Sequence, residues 1–409
     1  MKRFSRRISS PPQRTQRTRR INTYLLLCVL CVLRGGEVAR AQEPNAPQAV
    51  SPAQLKAAID KLGDLDYATR TNASRTVRRT ATPQAVPALL QTVAEHTDGY
   101  VRYRALVLLT GFNDPRAKDA MRESLSSPND RLRTVAYSYF EHNPDRAMTA
   151  TFLAAIDKEQ AEFVRPALVR AIAALGPPQP ALVREVSRGE DFFRSAVIEA
   201  LGDYKAAYAF DAITAVARID GPLQDDAALA LGKIGDKRAL ETLAAMQRSA
   251  SRPTQPSIAA AICLLGVNCE SHESYLIDTL KFADKNAGFQ ELLRGAATGL
   301  GALAVAGHEE AVTALFDIGI PARDDSTRAP VALALATVAL RNTALMMPLL
   351  EKRTVRDQAL ALVAEGFDML EEDLDKERFF AFARRTYWQS PENSPRRALM
   401  QTLIGKLDF

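Results

Sequence analysis

Only 4 cysteines, 4 histidines and a single tryptophan stand in 409 residues, and aromatic residues make up 7% of the whole. So few cysteines exclude a small disulfide scaffold, and 20 glycines and 22 prolines exclude a collagen-like repeat. The low aromatic share, beside abundant Ala and Leu, favours helices over a β-sandwich. An apolar content of 47% with 25% charged residues excludes a disordered polymer. No dinucleotide-binding glycine motif, phosphate-binding loop or nucleophile elbow occurs, and the four histidines (His96, His142, His272, His308) make no metal-protease spacing. No cofactor is therefore expected, and no catalytic residue.

The formal charge of +5 suggests an affinity for nucleic acid or membrane, but it is concentrated at one end. Residues 1–41 carry Lys2 and nine arginines against Glu37 alone, which leaves residues 42–409 at a net charge of −4. Behind the basic stretch, Tyr24 to Leu33 form a ten-residue apolar run, followed by Ala39-Arg40-Ala41. Ten residues rise about 15 Å as a helix, roughly half the hydrocarbon thickness of a bilayer. This order reads as a secretory signal peptide over 1–41 with cleavage after Ala41, a retained anchor being the alternative. Leu before both Cys28 and Cys31 argues against a lipidation site, and the residues after Arg6-Arg7 and Arg19-Arg20 fit twin-arginine export poorly. Residues 42–51 read as a flexible spacer and 52–409 as the folded body, with 368–409 as its C-terminal cap. The expected location is periplasmic or extracellular, with no stable membrane insertion after cleavage.

Cys263 and Cys269 are the two cysteines beyond the signal segment, and they flank the short turn LLGVN. In an oxidising compartment they are expected to pair as a disulfide, with two free thiols or a metal shared with His272 as the alternatives. Scattered ligands of this number fall short of the usual four of a zinc site.

An internal repeat fills the body. The apolar helix template i, i+3, i+4, i+7, i+8 starts at positions 69, 101, 132, 164, 193, 223, 258, 293, 327, 355 and 395, a mean spacing of about 33 residues. The residue after the start is arginine in nine of these eleven units: Arg70, Arg102, Arg133, Arg165, Arg194, Arg294, Arg328, Arg356 and Arg396. Gln224 and Ala259 stand at that position in two others. An acid precedes most starts, including Asp66, Asp98, Asp130, Glu162, Asp191, Asp220, Asp324 and Glu392, where it suits the free N–H groups and positive dipole end of a helix. These features predict a ladder in which each arginine pairs with the capping acid of its own or an adjacent unit. A second helical run lies between successive starts, for example Gln84–Glu95, Arg116–Ser126, Lys237–Gln247 and Glu309–Asp317. Each unit thus reads as helix–turn–helix with apolar stripes that only stacking can bury, an all-α solenoid of about eleven repeats.

Asp98–Ala105 (Asp-x-x-Val-Arg-x-x-Ala) and residues 230–236 (Ala-Leu-Gly-Lys-Ile-Gly-Asp) resemble HEAT-like repeats of the short phycobilisome-lyase type. The resemblance runs over about residues 52–409 and is strongest from 98 to 247. It implies that the arginine-bearing helices line the concave face of the solenoid.

Solenoids present long curved surfaces, which suits an extended partner. The expected function is that of an exported, non-enzymatic scaffold for a protein or peptide, the alternative being an enzyme like the chromophore lyases built on such repeats. The negative body opposes nucleic-acid binding. Five positions beyond successive ladder arginines, Val107, Ser138, Arg170 and Glu199 are expected to point off the apolar stripe into the binding face. Arg78, Arg79 and Arg104 add a basic patch, and Arg78, Arg104, Arg170 and Trp388 are the expected partner contacts. The run Glu371-Glu372-Asp373-x-Asp375 reads as a solvated helix face, and the aromatics Phe379, Phe380, Phe382, Tyr387 and Trp388 as a terminal cap or a partner anchor.

Overall fold

A computed structural model describes residues 50–407. The expected signal segment 1–41 and all but the last two residues of the expected spacer lie outside the described residues.

Twenty-two α-helices follow one another, and no strand occurs among the described residues. They form eleven successive pairs. The first four are α1 (Pro52–Asp60) with α2 (Tyr67–Arg79), α3 (Thr82–Glu95) with α4 (Gly99–Thr110), α5 (Ala117–Ser124) with α6 (Asp130–His142), and α7 (Thr149–Ile156) with α8 (Arg165–Ala173). Then come α9 (Pro180–Glu185) with α10 (Asp191–Asp203), α11 (Phe210–Ala217) with α12 (Gln224–Ile234), and α13 (Ala239–Ser249) with α14 (Gln255–Leu264). The last four are α15 (Cys269–Lys285) with α16 (Gln290–Ala306), α17 (Glu309–Gly319) with α18 (Asp325–Arg341), α19 (Thr343–Lys352) with α20 (Arg356–Met369), and α21 (Asp373–Gln389) with α22 (Pro395–Leu407). Every repeat start falls on the second helix of a pair or on the residue just before it. Val164, Leu223 and Val355 stand one residue ahead of theirs.

The second helices pack on one another in succession, as α6 on α8, α10 on α12, α14 on α16 and α18 on α20, and form the inner layer. The first helices form a looser outer layer. Close inner packing needs small residues. A Cβ on Gly232 of α12 would stand 2.5 Å from the Cα of Ala261 in α14, and one on Gly366 of α20 would run into the Ala332 backbone of α18.

The expected ladder takes a different form. Asp66, Asp98 and Asp324 do cap their helices, accepting from backbone N–H groups. Asp130 and Asp191 instead sit in the first turn and pair with Arg133 and Arg194 at 2.8 Å. The repeated task of the arginines is to cap the outer helix of their own unit. Arg102 donates to the Val93 carbonyl (2.7 Å), Arg194 to Val186 (3.0 Å), Arg328 to Gly319 (3.2 Å) and Arg356 to Glu351 (2.7 Å). Those carbonyls end or follow a helix and have no helical partner, so a cation there satisfies both hydrogen bond and dipole. Arg70 and Arg133 serve turn carbonyls in the same way, Arg165 stacks on Phe193, and Arg294 pairs with Glu291. Only Arg133–Glu159, Arg328–Glu365 and Arg396–Glu351 reach an acid of a neighbouring unit. Where arginine is missing the task persists. Gln224 donates to the Ala217 carbonyl at 3.2 Å, and Gln255, not the residue at 259, serves the end of α13.

Helix α21 leaves the pattern. It packs on α4, α6 and α18, all inner helices, and Leu374 joins the apolar core of the first units. The superhelix curls far enough to bring Arg341 of α18 to 3.4 Å from Glu141 of α6. Helix α21 therefore lies across the inner face of the N-terminal units, while α22 stays on α19 and α20.

Candidate functional site

The seam between α21 and the inner helices gathers a cluster of buried and half-buried ion pairs. Arg78 grips Glu377 with two guanidinium nitrogens at 2.7–3.2 Å, and Arg384 reaches the same carboxylate at 3.1 Å. Tyr103 and Arg104 share Asp373, the arginine at 3.0 Å. His142 lies 2.6 Å from Asp375. Burial alone raises these carboxyls, but their cationic neighbours outweigh it. Asp375, facing His142, Arg341 and Arg378, is lowered to about 2, and Asp373 and Glu377 are held below the usual range by Arg104 with Lys376 and by Arg78 with Arg384.

A second group continues along the inner face. Arg170 bridges Glu141 (2.8 Å) and Asp203 (3.0 Å), Lys233 joins Asp203 (2.7 Å), and Tyr204 donates to Glu141 (2.8 Å). Desolvation opposes the Arg170 charge, yet Glu141 and Asp203 raise its pKa overall. Glu199, one turn before Asp203, keeps an accessible side chain, yet the crowding of the inner-face helices and the acids Asp203 and Glu372 raise its pKa. Next to it Asp226, bonded to Ser195 at 2.6 Å, is raised to about 6 by burial. A cavity of about 340 Å³ opens at the seam between Tyr139, Asn143, Thr343, Leu374, Arg378 and Phe382.

This geometry corrects the expected binding face. Arg78, Arg104 and Arg170 are not a free basic patch, because each is spent on an acid of the same chain. The acidic run is not a solvated face either: Asp373 and Asp375 turn inward, and Asp375 is buried. Val107 is buried, whereas Glu199 is exposed. Of the aromatics, Phe379 and Tyr387 are buried and Trp388 remains 43% exposed, edge-on to Tyr387 and stacked by Arg397. Glu141, Asp203 and Glu377 were invisible to sequence reasoning, since nothing local separates them from other helix-surface acids.

Cys263 and Cys269 are joined as a disulfide across their turn. The histidine beside them is His308, whose Nδ1 lies 3.9 Å from the Cys269 sulfur. His272, which the spacing singles out, stays apart from the pair, and burial lowers its pKa. His96 and His308 also face carboxylates, Asp60 at 3.5 Å and Glu273 at 3.3 Å.

Comparison with known proteins agrees with the repeat. Residues 55–141 match the HEAT repeats family and residues 223–248 match the PBS lyase HEAT-like repeat. Among curated proteins none matches the sequence. Of solved structures, importin beta is similar at 14% identity and a TM-score of 0.39, the match covering 86% of this chain and 55% of that one. The chain thus spans about half the length of importin beta. The complex of CpcE and CpcF of phycocyanin lyase from Nostoc sp. is similar at 18% identity and a TM-score of 0.25, covering 80% and 97%. The first matched segment spans the pairs α1–α6 and the second spans α12 and α13, so both fall on the stacked helices of the solenoid and resemble HEAT-like repeats, the second of the short PBS-lyase kind.

Proposed function

We propose that this chain is an exported, non-enzymatic scaffold that docks a protein partner along one rim of its solenoid. The observation that carries the reading is a row of large apolar side chains where outer helices hand over to inner ones. Phe163, Phe192 and Ile219 occupy this junction in three successive units and are 73%, 58% and 65% exposed. Adjacent helices stack at about 8–10 Å, so the three form one ridge rather than scattered singles. Leu65 and Val355 continue the same edge in other units. A protein surface with complementary apolar pockets suits such a ridge, since aromatic anchors dominate interface energies. The inner face is less suited where α21 and the internal ion pairs already occupy it. Export rests on the basic, apolar and small-residue order of residues 1–41, and N-terminal sequencing of the exported chain is expected to start at Gln42.

Site-specific crosslinking tests the docking surface. A photoreactive residue at position 192 is expected to trap a discrete protein, while one at Tyr275, exposed on outer helix α15, traps none. The variant Phe163→Ser with Phe192→Ser and Ile219→Ser is expected to lose that partner with its helical spectrum intact. Equal trapping at 192 and 275, or full capture by the triple variant, overturns the reading.

A further inference from the structure

We infer that Cys263, Cys269, Glu273 and His308 form a tetrahedral site for a zinc-type cation when the cysteines are reduced. The four residues come from three successive units. Cys263 closes α14, Cys269 opens α15 with Glu273 one turn further on, and His308 precedes α17 as its N-cap residue. The donor atoms of Cys263, Cys269 and His308 all lie within 4.8 Å of one another. Zinc–sulfur bonds near 2.3 Å and zinc–nitrogen bonds near 2.0 Å place tetrahedral donors about 3.3–3.8 Å apart, so small side-chain rotations close the site. Among the described residues no other group of histidine, cysteine and acidic donors converges so closely, and Glu273 stands beside it against His308.

A second observation points to a missing cation. Glu273 is 7% exposed, and its Oε1 is buried without a hydrogen-bond partner. Its Oε2 lies 3.3 Å from His308 Nδ1, the same nitrogen that faces the Cys269 sulfur. A buried carboxylate oxygen left unsatisfied is costly, and a cation between the carboxylate, the imidazole and the sulfurs supplies what is absent. Two thiolates, one imidazole and one carboxylate are a donor set that selects zinc over calcium or magnesium.

The disulfide and the metal are alternatives at one place. A dithiol reductant transfers two electrons and two protons to the Cys263–Cys269 bond, giving two thiols and the reductant's own cyclic disulfide. Zn²⁺ then displaces both thiol protons, forming two Zn–S bonds and releasing two H⁺. In the oxidised chain no thiolate exists and the donor set is incomplete. The reduced, metal-loaded form replaces a crosslink within one turn by a clamp across three units.

The test uses the whole chain. After reduction with a dithiol and its anaerobic removal, Co²⁺ and Zn²⁺ are titrated as probes. One ion per chain is expected, with the visible absorption of tetrahedral cobalt–thiolate and a raised melting point on zinc addition, while the oxidised chain binds none. His308→Ala and the isosteric Glu273→Gln are each expected to weaken zinc binding about 10–100-fold, the range set by loss of a ligand or its support. Circular dichroism checks that both variants fold, and Glu273→Gln stands in should His308→Ala not. Failure of the reduced chain to bind one ion, or wild-type affinity in both variants, overturns the inference, since the ion then sits on a bare dithiol.

Discussion

Arg78 in the first unit and Glu377 in the last, 299 positions apart, form a bidentate ion pair with side chains 5% and 1% exposed. Two charges so deeply buried hold one another and fix where α21 lies on the inner face. The pair is a register device more than a source of stability, because desolvation consumes much of its attraction.

Removing one partner is expected to be severe. Glu377→Gln leaves Arg78 and Arg384 buried without their shared carboxylate, a loss of about 3–5 kcal/mol. A lower melting point and proteolytic cleavage between α20 and α21 check this, and an unchanged melting point refutes the seam.

Charge reversal at Arg104 or Arg170 is also expected to destabilise, since neither stands on the free binding face where the sequence placed them. Arg170→Glu sets three acids together, with Glu141 and Asp203, and should cost at least as much as Glu377→Gln, about 3–5 kcal/mol. Thermal melts of the single variants decide it. Arg133→Ala, which loses two partly exposed pairs, with Asp130 and Glu159, and one turn carbonyl, is expected to cost less.

Acid is expected to release α21. Asp373, Asp375 and Glu377 are lowered in the folded chain, so their contribution is complete above the unfolded value near pH 4 and is lost as pH falls toward about 2. Fluorescence of Trp388, on α21, should change in that window before the helical signal at 222 nm (about the usual helix band) collapses. Coincident loss of both signals counts against a separable seam.

Asp226 has the opposite sign. Its folded value of about 6 lies above the unfolded one, so the folded state holds the extra proton and stability falls as pH rises from about 4 to 6. Asp226→Asn is therefore expected to raise the melting point at pH 8, reflecting a stability gain of at most about 3 kcal/mol, and to change little at pH 4. Equal effects at both pH values contradict the assignment.

Gly232→Ala tests the inner packing. Alanine gains about 1 kcal/mol of helix propensity, but its Cβ meets the α14 backbone and forces the helices apart at about 1–3 kcal/mol. Net destabilisation in denaturant unfolding is expected, and stabilisation shows that the layers have room to move.

The period of the apolar template and the turn residues were sufficient to place all eleven inner helices, because helix formation and capping depend on neighbours a turn away. Even the arginine position was legible as structural, though not that its partners are the carbonyls ending each outer helix. That detail depends on how a pair folds back on itself, as Gln224 shows by doing the same work without charge. The path of α21 was not legible at all. It follows from a small rotation at every unit, accumulated over the stack until Arg341 meets Glu141, and no local window contains that sum. The same accumulation turns Arg78 and Arg104 from an apparent surface patch into partners of α21, while Arg170 meets acids of the neighbouring inner helices α6 and α10. Packing of adjacent units, equally beyond any local window, sets His308 beside Cys269, thirty-nine positions away, where spacing alone points to His272. Local chemistry in the sequence determined the repeat, and only the tertiary curl decided which charges face each other, because burial and pairing are properties of the assembled superhelix.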